Sequence, residues 1–525
     1  MPAAQPTTVQ RLRSAPPSDR LVGWVTTLVI TAIAFVIRMI NIGRPPYIVF
    51  DETYYAKDAW SLIHFGYERS WADNANAVLK AGGVPVPQNT AEFIVHPPIG
   101  KLLIGIGELI FGMNPVGWRV ASLVFGTLLV LITIRLVRRV SRSTLIGAVA
   151  GVLLTVDGLA FVMSRTALLD IFLAFFVVAA VACLAADRDW FRNRLADHIE
   201  HSGKPDLAGS YGPLLLVRPW QLLAGVMFGL GLGSKWNAVY VLAAFCVLSL
   251  AWDVGARRLA GAGWTSGSAV LRDGAAKFVS IVVVSGILYV AGWAGWFATS
   301  GGYDRGWGAD NQTAWTTRVF GRAFASWLHY QKDIYAFHTG SYIDHQTHTY
   351  NANPGGWLVI ARTIGIDAVN GIKPGTHGCP VGGEKCLSVV SGIGTPLLWW
   401  GAVIALVVAL LLWVGGRDWR FGIPVVGVLS SWLPWFQYTA RPLFFFYAIT
   451  IIPFSVMAVA LCLGMLVGRY PRDARGSRSR MIGGIITGTF VALVALNFAY
   501  IYPILTDQVL PYSKWLARMW FKGWI

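Results

Sequence analysis

The sequence predicts an all-α polytopic membrane protein with about eleven transmembrane helices and juxtamembrane helices in its first extracytoplasmic loop. Three observations carry this. Hydrophobic residues make up 55% of the 525-residue chain and charged residues only 13%, against the roughly 25% charged that is usual in a soluble domain. Long apolar runs recur along its whole length. Basic residues collect in particular short loops beside those runs, as the positive-inside rule expects of cytoplasmic loops.

The apolar runs fall at roughly 21–41, 117–136, 144–163, 166–186, 220–234, 237–252, 277–297, 396–414, 421–438, 442–466 and 481–502, judged against the ~20 residues that a spanning helix needs. One further run, IGKLLIGIGELIFGM after His96, carries Lys101 and Glu108 and is short. Topology decides how it is read. With the Arg-bearing N-terminus in the cytoplasm and this run lying along the membrane, the basic loops at 137–143, 253–276, 415–420 and 468–480 all fall inside; counting it as a span puts them all outside.

Residues 1–20, rich in Pro, Ser and Arg, are expected to form a disordered cytoplasmic tail. Residues 21–525 form a single membrane domain. The first apolar run lacks a small-residue cleavage site and is expected to stay as an anchor. Two long segments, 42–116 and 298–395, fall outside the membrane and are rich in Trp, Tyr, His and Gly; connections of that length usually carry function. The second holds Cys379 and Cys386, whose spacing and oxidising side favour a small disulfide loop over a metal site.

The net charge of +17, from 43 Lys and Arg against 26 Asp and Glu, does not indicate nucleic-acid binding. The basic runs adjoin spans and lack a reading platform. No phosphate-binding loop of the Gly-x-x-x-x-Gly-Lys type is present, which argues against a nucleotide-driven engine.

The boundary charges converge on the outer face. Asp51 and Glu52 follow the first span, His96 opens the juxtamembrane helix, and Arg119 starts the second span. Arg165 and Asp170 flank the turn between spans three and four, Lys235 lies between five and six, and Arg441 between nine and ten. Scattered structural charges would favour the cytoplasm, so the set reads as a functional site. Arg and Lys suit a phosphate head group whose lipid tail lies in the bilayer, and a carboxylate suits a general base. The structural alternatives are that Asp51 caps the following helix, that the cations reach to head groups, and that Arg165 pairs with Asp170. Asp157 suits helix packing as well as catalysis. His338, His345 and His348 lie in an irregular loop that favours sugar or acceptor contact over metal binding.

In order along the chain, FDETYYAKDA, VHPPIGKLL, GWRVAS, SRTALLD, GSKWNAVY, FHTGSYIDHQTHTYNANPGGW and RPLFFFYAITIIPF resemble the protein O-mannosyltransferases, in their actinobacterial branch. The resemblance covers nearly the whole chain. It implies the GT-C glycosyltransferase fold and transfer of mannose from polyprenyl-phosphate mannose to Ser or Thr hydroxyls of secreted proteins. It further implies that Asp51 is the catalytic base, that Glu52 holds the acceptor or a cation, that Arg119, Lys235 and Arg441 bind the donor phosphate, and that His96, Arg165, Asp170 and His338 shape the sugar and acceptor pocket. The outer loop at 298–395 is too short for the β-trefoil insert of the eukaryotic branch.

The expected partners are the lipid-linked donor, secreted acceptor proteins, membrane lipids and the Sec translocon, at a plasma membrane with the site facing out. Whether a divalent cation, Mg²⁺ or Mn²⁺, assists is left open, and no metal ligands are assigned. Two other readings stand beside this one. A different GT-C transferase would move a polyprenyl-linked sugar to a lipid or polysaccharide, and a transporter would use the charges as a translocation path. The gathering of charge on one face disfavours the transporter.

Overall fold

The computed structural model describes residues 6–14, 17–468 and 477–525. Among the described residues, seven helices are long and apolar enough to cross a membrane: Arg20–Met39, Pro115–Ser141, Asp170–Ser202, Ala238–Leu259, the Gly263–Ala291 segment, Pro396–Val414 and Arg478–Leu505. Shorter apolar helices cover Thr144–Thr155, Pro219–Leu232 and Ile452–Val467. Most of the expected runs therefore coincide with helices, although their ends differ. The largest difference is Asp170–Ser202, which runs well past the apolar stretch that ends near residue 186.

The outermost helices show why the fold needs a bilayer. Along Arg20–Met39, Gly23, Thr27, Ile30, Ala34 and Arg38 are buried at helical spacing, whereas Leu21, Val25, Leu28, Val29, Ile33 and Val36 are exposed. An apolar stripe of that length turned away from the core suits lipid and not water. Asp170–Ser202 is the opposite case, with 89% of its most apolar window buried, and it forms the central post of the bundle.

The segment after the first span begins with a short helix, Glu52–Phe65, stopped by Gly66 in the left-handed conformation at φ 81°. Ile99–Phe111 follows; its 13 residues reach only about 20 Å, too little for a ~30 Å hydrocarbon core. It packs closely on Pro115–Ser141 because a Cβ on Gly107 would collide with the Gly117 carbonyl and one on Gly117 with the Gly112 carbonyl. Asn114 starts Pro115–Ser141 by accepting from the N–H groups of Val116 and Gly117.

The 298–395 segment adds the helix Arg322–Thr339 and a three-stranded antiparallel sheet in which Cys386–Gly392 lies between Ile364–Ile372 and Leu510–Pro511. The Cys379–Cys386 disulfide is formed at the base of that sheet.

At the far end of the bundle from Asp51, buried ion pairs tie the helices together. Arg218 bridges Asp187 and Asp253, Lys277 pairs with Asp253 at 2.9 Å, and Arg257 pairs with Asp273 at 2.7 Å. Part of the basic excess is thus internally neutralised. The expectation of a disordered tail is corrected where residues are described. Thr8–Leu12 is a helix with a capping box at Thr7. Leu12 is buried against Phe191, Leu195 and Ile199, and Arg13 pairs with Asp197 and Glu200. Residues 1–5 and 15–16 of that tail, and 469–476 of the basic loop at 468–480, lie outside the described residues.

Candidate active site

Asp51 and Glu52 are neighbours with opposite fates. Glu52 is fully buried and its carboxylate is saturated. It accepts from Arg119 Nε and Nη2, both at 2.8 Å, from Trp118 Nε1 at 3.2 Å, and from the backbone N–H groups of Val49 and Ala167. The remaining Arg119 donors reach the carbonyls of Ile42, Pro45 and Tyr47. All five guanidinium N–H groups are therefore taken by protein. This corrects two expectations: Arg119 has no donor left for a phosphate, and Glu52 no lone pair turned toward an acceptor. The pair clamps the loop after the first span onto Pro115–Ser141.

Asp51 makes no side-chain cap to the helix it precedes, so the capping alternative is not realised. Phe50, just before it, holds φ at 45°, a costly backbone for a bulky residue. The Phe50 ring is fixed edge-on against Phe444, Phe446 and His348 at 5.7, 5.8 and 6.1 Å between centroids. Strain and packing together aim a half-buried carboxylate at the site. Burial pushes the Asp51 carboxyl up to about 6, with Lys235 pulling it down and Asp170 adding to the rise.

Lys235 Nζ lies 2.8 Å and 2.9 Å from the two Asp170 oxygens and 4.6 Å over the Tyr447 ring. Asp170 is thus the partner of Lys235, and the expected pairing of Arg165 with Asp170 is not formed. Arg165 turns away and donates to the carbonyls of Arg38, Ile40 and Asn41. It fastens the end of the first span, so its expected place in the sugar pocket is corrected as well. Asp157 is likewise structural: it caps Gly158–Met163 through Ala160 N and accepts from Thr395 N and Trp399 Nε1.

His96 and His338 lie together, with ring centroids 5.4 Å apart. His338 Nε2 is 3.0 Å from Val95 O, and Arg441 Nη1 approaches His338 Nδ1 at 3.3 Å. A neutral ring that donates from Nε2 and accepts at Nδ1 satisfies both contacts. Burial and the Arg441 and Lys235 charges bring His338 down to about 4 and hold His96 well below the usual imidazole range. Both rings are therefore neutral hydrogen-bonding walls. Arg441 keeps one buried donor, Nε, without a partner among the described residues.

The structure thus brings together Asp51, His96, Asp170, Lys235, His338 and Arg441. It adds Tyr55 and Tyr447, which the sequence reading missed. Tyr55 stands one helical turn after Asp51 with its ring 6.2 Å from His96, and an i, i+4 pattern from Asp51 was the available signal. Lys101 was also missed: it pairs with buried Glu68 and lies 3.7 Å from Asp58, bracing the Glu52–Phe65 helix from behind. His345 and His348 turn to separate partners, Ser341 O and the Phe444 ring. Among the described residues, the group whose ligand atoms come within 4.8 Å of one another is Asp304, His329 and Asp333, which includes none of the residues around Asp51.

The bundle of membrane-crossing helices, with this carboxylate and its cations at one end, is an arrangement shared with membrane glycosyltransferases. The fold overlays on the Saccharomyces cerevisiae protein O-mannosyltransferase Pmt1–Pmt2 complex bound to the sugar donor with a TM-score of 0.69 at 13% identity, covering 98% of this chain and 94% of that one. It also overlays on ArnT from Cupriavidus metallidurans with a TM-score of 0.50 at 13% identity, covering 93% and 76%. Residues 28–194 match the dolichyl-phosphate-mannose-protein mannosyltransferase family, and 323–524 the C-terminal four-transmembrane region of protein O-mannosyltransferase. The polyprenol-phosphate-mannose–protein mannosyltransferase of Mycobacterium tuberculosis is 38% identical over 97% of this chain and 93% of its own length. That of Corynebacterium glutamicum is 31% identical over 91% and 88%. The chain belongs to the polyprenol-phosphate-mannose–protein mannosyltransferase family.

Proposed function

We infer that this chain is a multi-pass membrane enzyme that transfers mannose from polyprenyl-phosphate mannose to proteins. The observation that carries the mechanism is the contrast at 51–52: one carboxylate is saturated by five donors, while its neighbour faces the Lys235 charge.

Asp51 is proposed to accept the proton of a Ser or Thr hydroxyl as that oxygen attacks the anomeric carbon of the mannose. The bond from that carbon to the phosphate oxygen breaks, and the electron pair leaves with the polyprenyl phosphate. Lys235 and Arg441 take up the charge that develops there, the electrostatic part of the catalysis. A single attack from the opposite face converts a β-linked donor into an α-linked product. One base suffices, since the departing phosphate needs little protonation near neutral pH. Adjacent residues cannot flank a bond from two sides as a glycosidase pair does. His96, His338 and Tyr55 are proposed to line the sugar and acceptor pocket, with Asp170 positioning Lys235. Glu52, Arg119 and Arg165 act as scaffold.

The topology proposed has eleven spans, a cytoplasmic N-terminus and the site on the outer face of the plasma membrane. The gathered charge on one face and the disulfide at 379–386 support it. Acceptors are proposed to arrive unfolded from the Sec translocon; recovery of no translocon subunit with the enzyme from native membranes overturns that association.

The deciding experiment is transfer of radiolabelled mannose from polyprenyl-phosphate mannose to a Ser/Thr/Pro-rich peptide by the wild type and Asp51→Ala. Labelled peptide with the wild type alone supports both activity and base. Donor turnover without peptide labelling redirects the reading to a lipid or polysaccharide acceptor. No turnover of any lipid-linked sugar returns the transporter.

A further inference from the structure

A second polar cavity lies at the other end of the bundle. Arg13, Arg142, Arg188, Arg192, Arg420 and Trp419 line a space of about 340 Å³. Arg188 is 18 residues beyond Asp170 on the same continuous helix, or about 27 Å along its axis. That is close to the ~30 Å thickness of the hydrocarbon core, so the cavity opens at the membrane surface opposite Asp51.

Among the described residues, cations outnumber carboxylates around it. Arg13 is neutralised by Asp197 and Glu200, each at 2.5 Å. Asp189 serves Arg139 at 3.0 Å and Arg142 at 2.7 Å, and Arg188 stands 3.9 Å away. Asp418 pairs with Arg420 at 2.5 Å and also faces Arg188. Arg192 donates to the Arg11 carbonyl. Among the described residues, Arg142, Arg188, Arg192 and Arg420 of the cavity lining thus share Asp189 and Asp418, and Asp189 also serves Arg139 beside it. Arg142 and Arg192 each disfavour the charge on Arg188, a repulsion that a bound anion would relieve.

The geometry is organised for that compensation. The Arg188 guanidinium lies 3.4 Å over the Trp419 ring, which fixes its plane. The N-terminal segment is drawn over the cavity by Ser14, whose hydroxyl donates to Asp189 Oδ1 at 2.7 Å. A planar guanidinium held in this way matches the oxygens of a phosphate group.

We propose that this cavity binds a phosphate-bearing anion, and that its source is the head group of an anionic phospholipid in the leaflet opposite the Asp51 site. Basic pockets between helix ends at a membrane surface take such head groups, and the position of Trp419 at the helix end matches an interfacial anchor.

The test is native mass spectrometry of the full-length protein in non-ionic detergent, titrated with dioleoylphosphatidylglycerol, with dioleoylphosphatidylcholine, and with inorganic phosphate. Retention of phosphatidylglycerol well above phosphatidylcholine is expected, with an at least tenfold loss in the Arg188→Gln/Arg192→Gln double variant. Mannosyl transfer at the wild-type rate shows that this variant is folded. Should it fail to fold, Arg420→Gln at the rim reports instead, with about a threefold loss. Displacement of the lipid by inorganic phosphate, or retention of phosphate alone, keeps the phosphate chemistry and assigns a soluble source. Equal retention by wild type and variants, or no preference for phosphatidylglycerol with no phosphate bound, overturns the proposal.

Discussion

Arg119 and Glu52 meet in a two-pronged pair, Nε to Oε1 and Nη2 to Oε2, both at 2.8 Å and both wholly enclosed. Removing one partner leaves an uncompensated buried charge, which costs about 3–5 kcal/mol. Arg119→Ala and Glu52→Ala are therefore expected to lose folded protein, measured as a lower melting temperature and yield. In whatever folds, the donor KM should stay near wild type. A raised donor KM in a fully stable Arg119→Ala enzyme would return Arg119 to the phosphate site.

Asp51→Asn removes the proposed base and keeps the shape. Turnover should fall by about 10²-fold or more while the donor KM changes little. Single-turnover assays at saturating donor check this, and full activity in a folded variant rules Asp51 out as the base.

The Asp51 carboxyl, raised to about 6, gives a pH dependence whose two readouts run in opposite directions. With Asp51 as the proposed base, activity calls for the ionised form, so kcat/KM should rise with pH through about 6 and then level off. Stability goes the other way. An unfolded Asp titrates near 3.8, so between about pH 4 and 6 the folded state binds the proton more tightly than the unfolded state. The Asp51 contribution to stability therefore falls as pH rises through that window. Comparing wild type with Asp51→Asn isolates both effects.

Neighbouring charges should move that activity limb predictably. Lys235 lowers the Asp51 value and Asp170 raises it, so Lys235→Met should shift the limb to higher pH and Asp170→Asn to lower pH. Lys235→Met should also reduce kcat, because the cation that faces the developing charge is gone. A pH profile that neither variant displaces would show that a different group titrates.

Arg441→Lys keeps the charge but loses the planar fork that carries Nε, which has no partner among the described residues. The expected result is a donor KM raised about tenfold with a smaller change in kcat. A donor-binding titration on the Asp51→Asn background separates binding from chemistry.

Much of the protein was legible in its residues. Apolar runs and basic loops gave the membrane class because hydrocarbon imposes length and composition on each span locally. The alignment of Asp51, Lys235 and Arg441 at one end followed from counting crossings. The juxtamembrane reading of Ile99–Phe111 rested on which side the basic loops fall when crossings are counted; its Lys101 is buried by the fold against Glu68. The expected tail disorder failed where Leu12 found Phe191 and Leu195, a contact between segments that composition does not encode.

What the sequence determined by itself was the family, the helical membrane architecture and the set of groups available for chemistry, since these depend on residue types and their order. Only the tertiary structure decided which group does what. Asp51 and Glu52 are adjacent, yet Glu52 is claimed by Arg119, 67 residues on, and by the Ala167 amide, 115 residues on. Asp170 is taken by Lys235, 65 residues away, and not by nearby Arg165. In a buried site each charge must find a partner or shift its titration, and those partners come from chain segments that only folding brings within reach.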